Sequence, residues 1–96
     1  RGLGGVLFQE GEDGTRRYID FIARSLNQAE RNYSANRLEL QAILFGIEKC
    51  SIYLRGRKFV LLTDHKPLTS ILTSSKPAPH IQRAIDFLSE YDFKIT

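Results

Sequence analysis

The sequence predicts a small α/β domain, and three observations support this class. The first 25 residues indicate two strands joined by a glycine-containing turn. From Ser34 onward the apolar residues follow a helical spacing, which predicts a long amphipathic helix. A short apolar run, residues 58–63, then lies between Gly56 and Asp64, as is typical of a strand buried on both faces in a parallel sheet.

Composition places the chain among small globular domains. Of its 96 residues, 42% are hydrophobic and 26% are charged, so we expect one domain over residues 1–96. The longest apolar run, residues 42–47, falls far short of the roughly 20 residues that cross a bilayer. We therefore expect no membrane partner and a cytoplasmic or nuclear location. The net charge of +3 permits a polyanionic partner without requiring one.

The N-terminal hairpin is indicated by its turn residues. Residues 2–9 form a glycine-rich run with β-branched and aromatic side chains, residues 10–14 carry a turn signal, and residues 17–25 give the second strand. The glycines do not have the spacing of a phosphate-binding loop, because neither GxxxxGK nor GxGxxG occurs. We therefore assign them to a turn or to close backbone packing.

The remaining elements alternate helices with strands. The helix that starts near Ser34 is predicted to run to Arg55, with Gly56 beyond its last turn as a C-cap. Cys50 falls on the apolar face of this helix, so we expect a buried, inert thiol. Further along, the sequence predicts a short helix over 67–72, an amphipathic helix over 81–91 and the beginning of another strand at 93–96.

Glu39 is a carboxylate at a position where an apolar residue is expected. It precedes Ala42, Ile43 and Gly46 by three, four and seven residues, on the stripe that should face the sheet. A charge there needs a partner, which makes Glu39 a candidate site residue. The alternative is a capping box, in which Asn36 and Glu39 only cap the start of the helix.

Asp64 ends the apolar strand, and geometry predicts that it converges on Glu39. A helix followed after a tight turn by a strand runs antiparallel to that strand. The helix rises roughly 24 Å from Arg55 back to Glu39, and the strand advances roughly 20 Å from Lys58 to Asp64. Both carboxylates would then lie at the carboxyl end of the strand, where open α/β sheets place their sites. For Asp64, an ordinary strand-end turn residue is the alternative.

Two carboxylates at one sheet edge indicate a hard oxygen site for Mg²⁺ or Mn²⁺. A zinc site would need more nitrogen and sulfur ligands than His65, His80 and Cys50 supply. His65 directly follows Asp64 and is a candidate substrate contact, while a side chain on the opposite face of the strand is the alternative.

Six motifs occur in an order and spacing that resemble one enzyme family. They are Gly-Leu-Gly-Gly-Val-Leu-Phe-Gln (2–9), Ala-Arg-Ser-Leu-Asn-Gln-Ala-Glu-Arg-Asn-Tyr-Ser (23–34), Glu39 with Ile-Glu-Lys (47–49), Gly-Arg-Lys-Phe (56–59), Thr-Asp-His-Lys-Pro-Leu (63–68) and Glu-Tyr-Asp-Phe (90–93). Together they resemble the ribonuclease H domain of gypsy-type LTR retrotransposon reverse transcriptases, which are parts of Pol polyproteins. The resemblance covers nearly the whole chain.

The resemblance implies an α/β fold of the ribonuclease H type, a mixed sheet with flanking helices. It also implies cleavage of the RNA strand of RNA–DNA hybrids by two Mg²⁺ or Mn²⁺ ions. The family uses four carboxylates, of which Glu39 matches the second and Asp64 the third, so both are expected to bind metal and to be catalytic. The first and fourth would fall before Arg1 and beyond Thr96. We therefore expect a truncated domain, without the family's first strand and last helix, that is inactive alone.

Polar residues beside the two acids are candidates for substrate binding. Arg24 and Ser25 lie at the end of the second predicted strand, and Asn36 and Arg37 precede Glu39. We expect these residues to contact backbone phosphates or 2′-hydroxyls of the hybrid. Solvated loop and helix-cap residues are the alternative.

The implied partners are an RNA–DNA hybrid and the remainder of the reverse transcriptase polyprotein, in the virus-like particle of a retroelement. A missing first strand would leave open edges on strands 2–9 and 58–64, so we also expect self-association. The alternative function is a noncatalytic binding or interaction module of the same fold, from a degenerate or domesticated element. An integrase-like acidic triad is excluded, because the acids that follow Asp64 are too close to it in the sequence.

Overall fold

Both strands and helices occur in the computed structural model, which describes residues 2–63 and 68–96. The strands are β1 (Gly2–Glu10), β2 (Arg16–Ser25), β3 (Lys58–Leu61) and β4 (Asp92–Ile95). The helices are α1 (Ala35–Lys49), α2 (Ser51–Leu54), α3 (Leu68–Leu72) and α4 (Pro79–Leu88), with a short 3₁₀ helix at Glu30–Asn32. The predicted α/β class is confirmed.

The chain divides into two compact units, Arg1–Cys50 and Ser51–Thr96. The first unit contains the antiparallel pair β1–β2 with α1, and the second contains the parallel pair β3–β4 with the other helices. Two candidate site residues, Asp64 and His65, lie outside the described residues, as does position 67, where the predicted short helix begins.

The predicted N-terminal hairpin is confirmed. β1 and β2 pair from Gly2 opposite Ser25 to Glu10 opposite Arg16, with a shift of register between Leu7 and Phe8. The turn between them contains Gly14 at φ 84°, a left-handed conformation that favours glycine.

Close backbone packing is also confirmed at one of the N-terminal glycines. A Cβ on Gly2 would lie 2.6 Å from the carbonyl oxygen of Arg24. That distance is too short for any side chain, so the sequence needs glycine there.

Helix α1 starts as its spacing predicted, but with a different cap. Ser34 is the N-cap, and its Oγ accepts a hydrogen bond from the backbone N–H of Arg37 at 3.2 Å. Asn36 is the second residue of the helix. The alternative of a capping box formed by Asn36 and Glu39 is therefore wrong, because the helix has already begun before Asn36.

The end of this helical segment differs from the prediction of one continuous helix to Arg55. α1 ends at Lys49, because Cys50 leaves the helical region with φ −94° and ψ 10°. α2 then adds one short turn, and Gly56 follows it at φ 74°. Gly56 thus terminates the segment as predicted, while no glycine or proline in the sequence marked the break at Cys50.

The core of the first unit lies between α1 and the hairpin. Its buried residues are Leu3, Leu26, Leu38 and Phe45, and the half-buried side chains packed against them are Ile22, Tyr33 and Ala42. A Cβ on Gly46 would lie 3.5 Å from Cδ1 of Ile22. The stripe of α1 that contains Ala42 and Gly46 therefore faces the hairpin, as the helical spacing predicted.

The second unit confirms a parallel sheet but corrects the predicted burial of its strand. β3 and β4 pair in parallel from Lys58 opposite Asp92 to Leu61 opposite Ile95. Phe59 stacks on Phe93 with ring centroids 5.3 Å apart. Val60, on the other face, is 56% exposed, so burial of β3 on both faces was the wrong expectation. An uninterrupted apolar run shows that a strand can be buried, but it does not specify which face is covered.

In residues 2–63 and 68–96, none of the helices combines the length and the apolar character needed to cross a lipid bilayer.

Candidate active site

Glu39 lies at the exposed end of the row of α1 residues that faces the hairpin. Its neighbours Leu38 and Leu40 are buried, at 8% and 3% exposure, whereas Glu39 is exposed. Ala42, one turn further on, already packs against the core. The helix thus presents the Glu39 side chain near its N-terminal end, where solvent and therefore a metal ion can reach it.

Asn36 and Arg37 share the beginning of α1 with Glu39. Asn36 is exposed, and Arg37 is half-buried with its guanidinium carbon 3.8 Å from the centroid of the Tyr33 ring. Because Tyr33 packs against the core, the Arg37 guanidinium rests on an ordered surface. The structure therefore brings three predicted site residues, Asn36, Arg37 and Glu39, to one end of one helix.

Arg24 lies at the end of β2 and is engaged within the first unit. Its Nη1 and Nη2 donate to the two carboxylate oxygens of Glu30 at 2.6 and 2.7 Å. Nη1 also donates to the carbonyl of Ser25, and the guanidinium carbon lies 5.1 Å from the centroid of the Phe45 ring. Ser25 itself is exposed. Contact of Arg24 and Ser25 with substrate remains a prediction, and Arg24 has a second role inside the fold.

Glu30 is a residue of this region that no sequence pattern had marked as a candidate. It is only 2% exposed, and it exchanges hydrogen bonds with Asn27, whose backbone N–H donates to Glu30 Oε1 and whose Oδ1 accepts from the Glu30 backbone N–H. The Arg24 guanidinium, helped by the Asn27 N–H, lowers the pKa of Glu30 to about 2. The available signal was the spacing Asn27-x-x-Glu30, which is that of a capping box.

The predicted metal site combines Glu39 of α1 with Asp64. In the part of the chain that the structure describes, no three His, Cys, Asp or Glu side chains come together to hold an ion. Glu39 is described, whereas Asp64 and His65 are not. Cys50 is buried as predicted, and its burial raises the pKa of the thiol, which disfavours the reactive thiolate.

Comparison with known proteins identifies the family. Residues 1–91 match the model of the RNase H-like domain found in reverse transcriptase. The chain belongs to this family. The RNase H-like domain is 42% identical over 93 residues to the "Retrovirus-related Pol polyprotein from transposon 297" of Drosophila melanogaster. It is 36% identical over 95 residues to the corresponding polyprotein from transposon gypsy of the same species. The resemblance to gypsy-type Pol polyproteins that the motifs indicated is thereby confirmed.

The RNase H-like domain also resembles viral polyproteins. It is 34% identical over 97 residues to the "Enzymatic polyprotein" of Carnation etched ring virus. The three alignments cover 97%, 98% and 96% of this chain, but only 8%, 9% and 14% of the relatives. The chain therefore spans a small part of the length of the proteins it matches.

Proposed function

We propose that this RNase H-like domain is the nuclease part of a retrotransposon-type Pol polyprotein and that it hydrolyses the RNA strand of RNA–DNA hybrids. The family match over residues 1–91 supports this class of activity. One observation assigns this activity to a particular residue. Glu39 presents an exposed carboxylate from an ordered, capped helix, between two leucines that are buried.

The proposed cofactor is Mg²⁺ or Mn²⁺, bound by Glu39 together with Asp64. The donor chemistry of Glu39 fits such an ion, because hard divalent cations prefer carboxylate oxygens and retain several water molecules, which an exposed position permits. When bound, such ions lower the pKa of a water molecule and stabilise the leaving 3′-oxygen. The role of Glu39 is to hold one carboxylate in place for this chemistry.

The proposed substrate contacts surround Glu39. Arg37 and Asn36 lie within the first turn of the same helix, and Arg37 is supported by the Tyr33 ring. Cationic and amide groups beside the acidic site would contact phosphates and 2′-hydroxyls of the hybrid. Arg24, Ser25 and His65 are proposed as further contacts.

We also propose that the 96 residues act together with other parts of a Pol polyprotein and are inactive alone. The relatives are many times longer than the region that matches, which is consistent with a domain of a larger enzyme. The family uses four carboxylates, and only two acids of this chain, Glu39 and Asp64, match them. The proposed setting is the cytoplasm or nucleus, within a retroelement particle.

The test is cleavage of an end-labelled RNA strand in an RNA–DNA hybrid. The protein should contain residues 1–96 extended on both sides in their natural reading frame, with Mg²⁺ or Mn²⁺ added. We expect cleavage by the wild type and a loss of at least about 100-fold for Glu39→Gln, which keeps the side-chain size and removes the charge. Glu48→Gln is the matched control, since Glu48 is an exposed glutamate on the same helix.

The outcome also decides between the nuclease and the alternative function. If the extended wild type binds hybrid but does not cleave it with either ion, a noncatalytic binding module becomes the better description. Equal losses of cleavage activity in Glu39→Gln and Glu48→Gln would show that Glu39 is not part of the site. Only the overall charge of α1 would then matter.

A further inference from the structure

The connection between β2 and α1 is held at several successive points. Leu26 is buried in the core, and Asn27 and Glu30 exchange two hydrogen bonds. The backbone N–H of Tyr33 donates to the carbonyl of Glu30 at 3.0 Å, and Ser34 then caps α1. The start of α1 is thus tied through this connection to the end of β2.

Arg24 contacts both this connection and the middle of α1. Its guanidinium binds the buried Glu30 through two hydrogen bonds, and it lies 5.1 Å from the centroid of the Phe45 ring. A helix held at its beginning and at its middle has a fixed direction. Glu39 lies between these two points, after Ser34 and before Phe45.

The chemistry of the pair is specific to arginine and glutamate. The Glu30 carboxylate accepts two hydrogen bonds from Arg24 and one from the Asn27 N–H, while being only 2% exposed. A buried carboxylate left without its cation is strongly destabilised. Lysine cannot replace Arg24, because an ammonium group does not offer two parallel donors or a flat face to the Phe45 ring.

We propose that Glu30, acting through Arg24, is a positioning residue for Glu39. The Arg24–Glu30 pair sets the direction of α1 on the hairpin and thereby the place of the Glu39 carboxylate. This inference rests on the proposed function, in which Glu39 is catalytic. It assigns to Arg24 a task separate from any contact with substrate.

The first test is the kinetics of Glu30→Gln in the extended protein. Glutamine keeps the size of Glu30 and an oxygen for the Asn27 N–H, but it loses the charge and the second acceptor for Arg24. We expect kcat to fall by about tenfold or more, because small displacements of a catalytic group are costly. The KM for hybrid should stay within about twofold of wild type, since Glu30 is not a proposed substrate contact and the residues that are, Arg24 included, remain unchanged. Rates are measured at temperatures where circular dichroism shows each variant to be folded.

The matched control is Glu90→Gln. Glu90 also pairs with an arginine that lies over an aromatic ring, because Arg55 is 3.7 Å from Glu90 and 5.3 Å from the Tyr91 ring centroid. This pair is exposed, with 58% and 55% of the two side chains accessible. We expect kcat and KM of Glu90→Gln to equal those of the wild type.

The Arg24→Lys variant tests whether the effect passes through the pair. It should lower kcat about as much as Glu30→Gln, and the double variant should be no worse than either single variant, because all three break one arrangement. A raised KM with unchanged kcat would leave Arg24 with a substrate contact alone, without a positioning role, and overturn the inference. Unchanged kcat and KM in folded protein would also overturn it, since the pair would then serve stability alone.

Amide hydrogen exchange separates this inference from the proposed function. In Glu30→Gln, the amides of residues 38–41 should exchange about tenfold faster than in wild type, while those of residues 45–49 stay protected. If the extended wild type has no nuclease activity, the proposed function fails, but this measurement still decides whether Glu30 orders the part of α1 that carries Glu39. Wild-type exchange at residues 38–41 would overturn the inference.

Discussion

The guanidinium carbon of Arg37 lies 3.8 Å from the centroid of the Tyr33 ring, so a positive charge is held two residues before Glu39. If this charge contacts hybrid phosphate, Arg37→Ala should weaken hybrid binding at low salt and reduce the slope of log K against log salt by about one. Arg37→Lys should keep most of that slope. Arg31→Ala, at an exposed arginine of the same unit, is the control. Equal slopes in all variants would show that Arg37 only packs on Tyr33.

The hydrogen bond from the Arg37 backbone N–H to Ser34 Oγ predicts a measurable contribution of Ser34 to stability. Ser34→Ala should lower the free energy of unfolding by about 1 kcal/mol, since it removes the N-cap of α1. Asn36→Ala should change it by about 0.5 kcal/mol or less, because Asn36 is exposed within the helix. Urea denaturation measures both values. A larger loss of unfolding free energy for Asn36→Ala than for Ser34→Ala would indicate that Asn36 is the N-cap.

Two phenylalanines of the first unit make a matched test of the core. Phe45 is 7% exposed and Phe21 is 68% exposed. Phe45→Ala should cost about 3–5 kcal/mol, because it leaves a cavity between α1 and the hairpin. Phe21→Ala should cost about 1 kcal/mol or less, since its stacking on Tyr18 takes place in solvent. Comparable losses of unfolding free energy would mean that the exposed face of the hairpin is covered in solution.

The pKa of Glu30, lowered to about 2 by Arg24, predicts a particular acid sensitivity. A carboxyl group with a lowered folded-state pKa stabilises the fold above its unfolded pKa near 4.5 and loses that contribution as the pH falls through about 2. The melting temperature of Glu30→Gln should therefore be on the order of 10 °C below wild type at pH 6. The difference should shrink steadily between pH 4.5 and pH 2.

Glu90→Gln is the control for this pH series, because its ion pair is exposed. Its melting temperature should stay near that of the wild type throughout. A difference between Glu30→Gln and wild type that does not vary with pH would show that the charge of Glu30 is not what stabilises the fold.

Self-association remains a prediction from the sheet edges. Among the described strands, β1 pairs with β2 alone. An open edge beside exposed apolar side chains such as Val6 favours pairing with a second copy. Sedimentation of the 96-residue chain should show a mass that rises with concentration, and Val6→Lys should reduce this rise, whereas Ile52→Lys in α2 should not. A monodisperse monomer at every concentration would contradict the expectation.

Periodicity and turn residues were sufficient to predict most of the fold. The hairpin was predicted from two apolar runs, the first rich in glycine, on either side of a glycine-containing turn, and α1 from the spacing of residues such as Leu38, Ala42 and Phe45. These signals are local, and the local backbone follows them. The exposure of Val60 could not be predicted, because it depends on tertiary packing, and no glycine or proline marked the break at Cys50.

The candidate site was predictable only in part, for a different reason. Glu39 could be recognised as a charge among apolar positions, and Arg37 by its place before it. Glu30 was overlooked, since a glutamate in a polar connecting segment looks like a solvated residue. Its burial depends on Arg24, six residues earlier, and only a three-dimensional arrangement shows that the two side chains meet.

The order of the elements along the first unit determines when the unit can fold during synthesis. β1 pairs with the strand that follows it, and α1 packs back on β1. The hairpin contacts join near neighbours along the chain, which form fastest, and the contacts of α1 with β1 also lie within the first 50 residues. At about 5–20 residues per second, a ribosome needs seconds to translate residues 1–50, whereas hairpins close in microseconds. We expect the unit to be folded on the ribosome while later parts of the same polypeptide are still being translated.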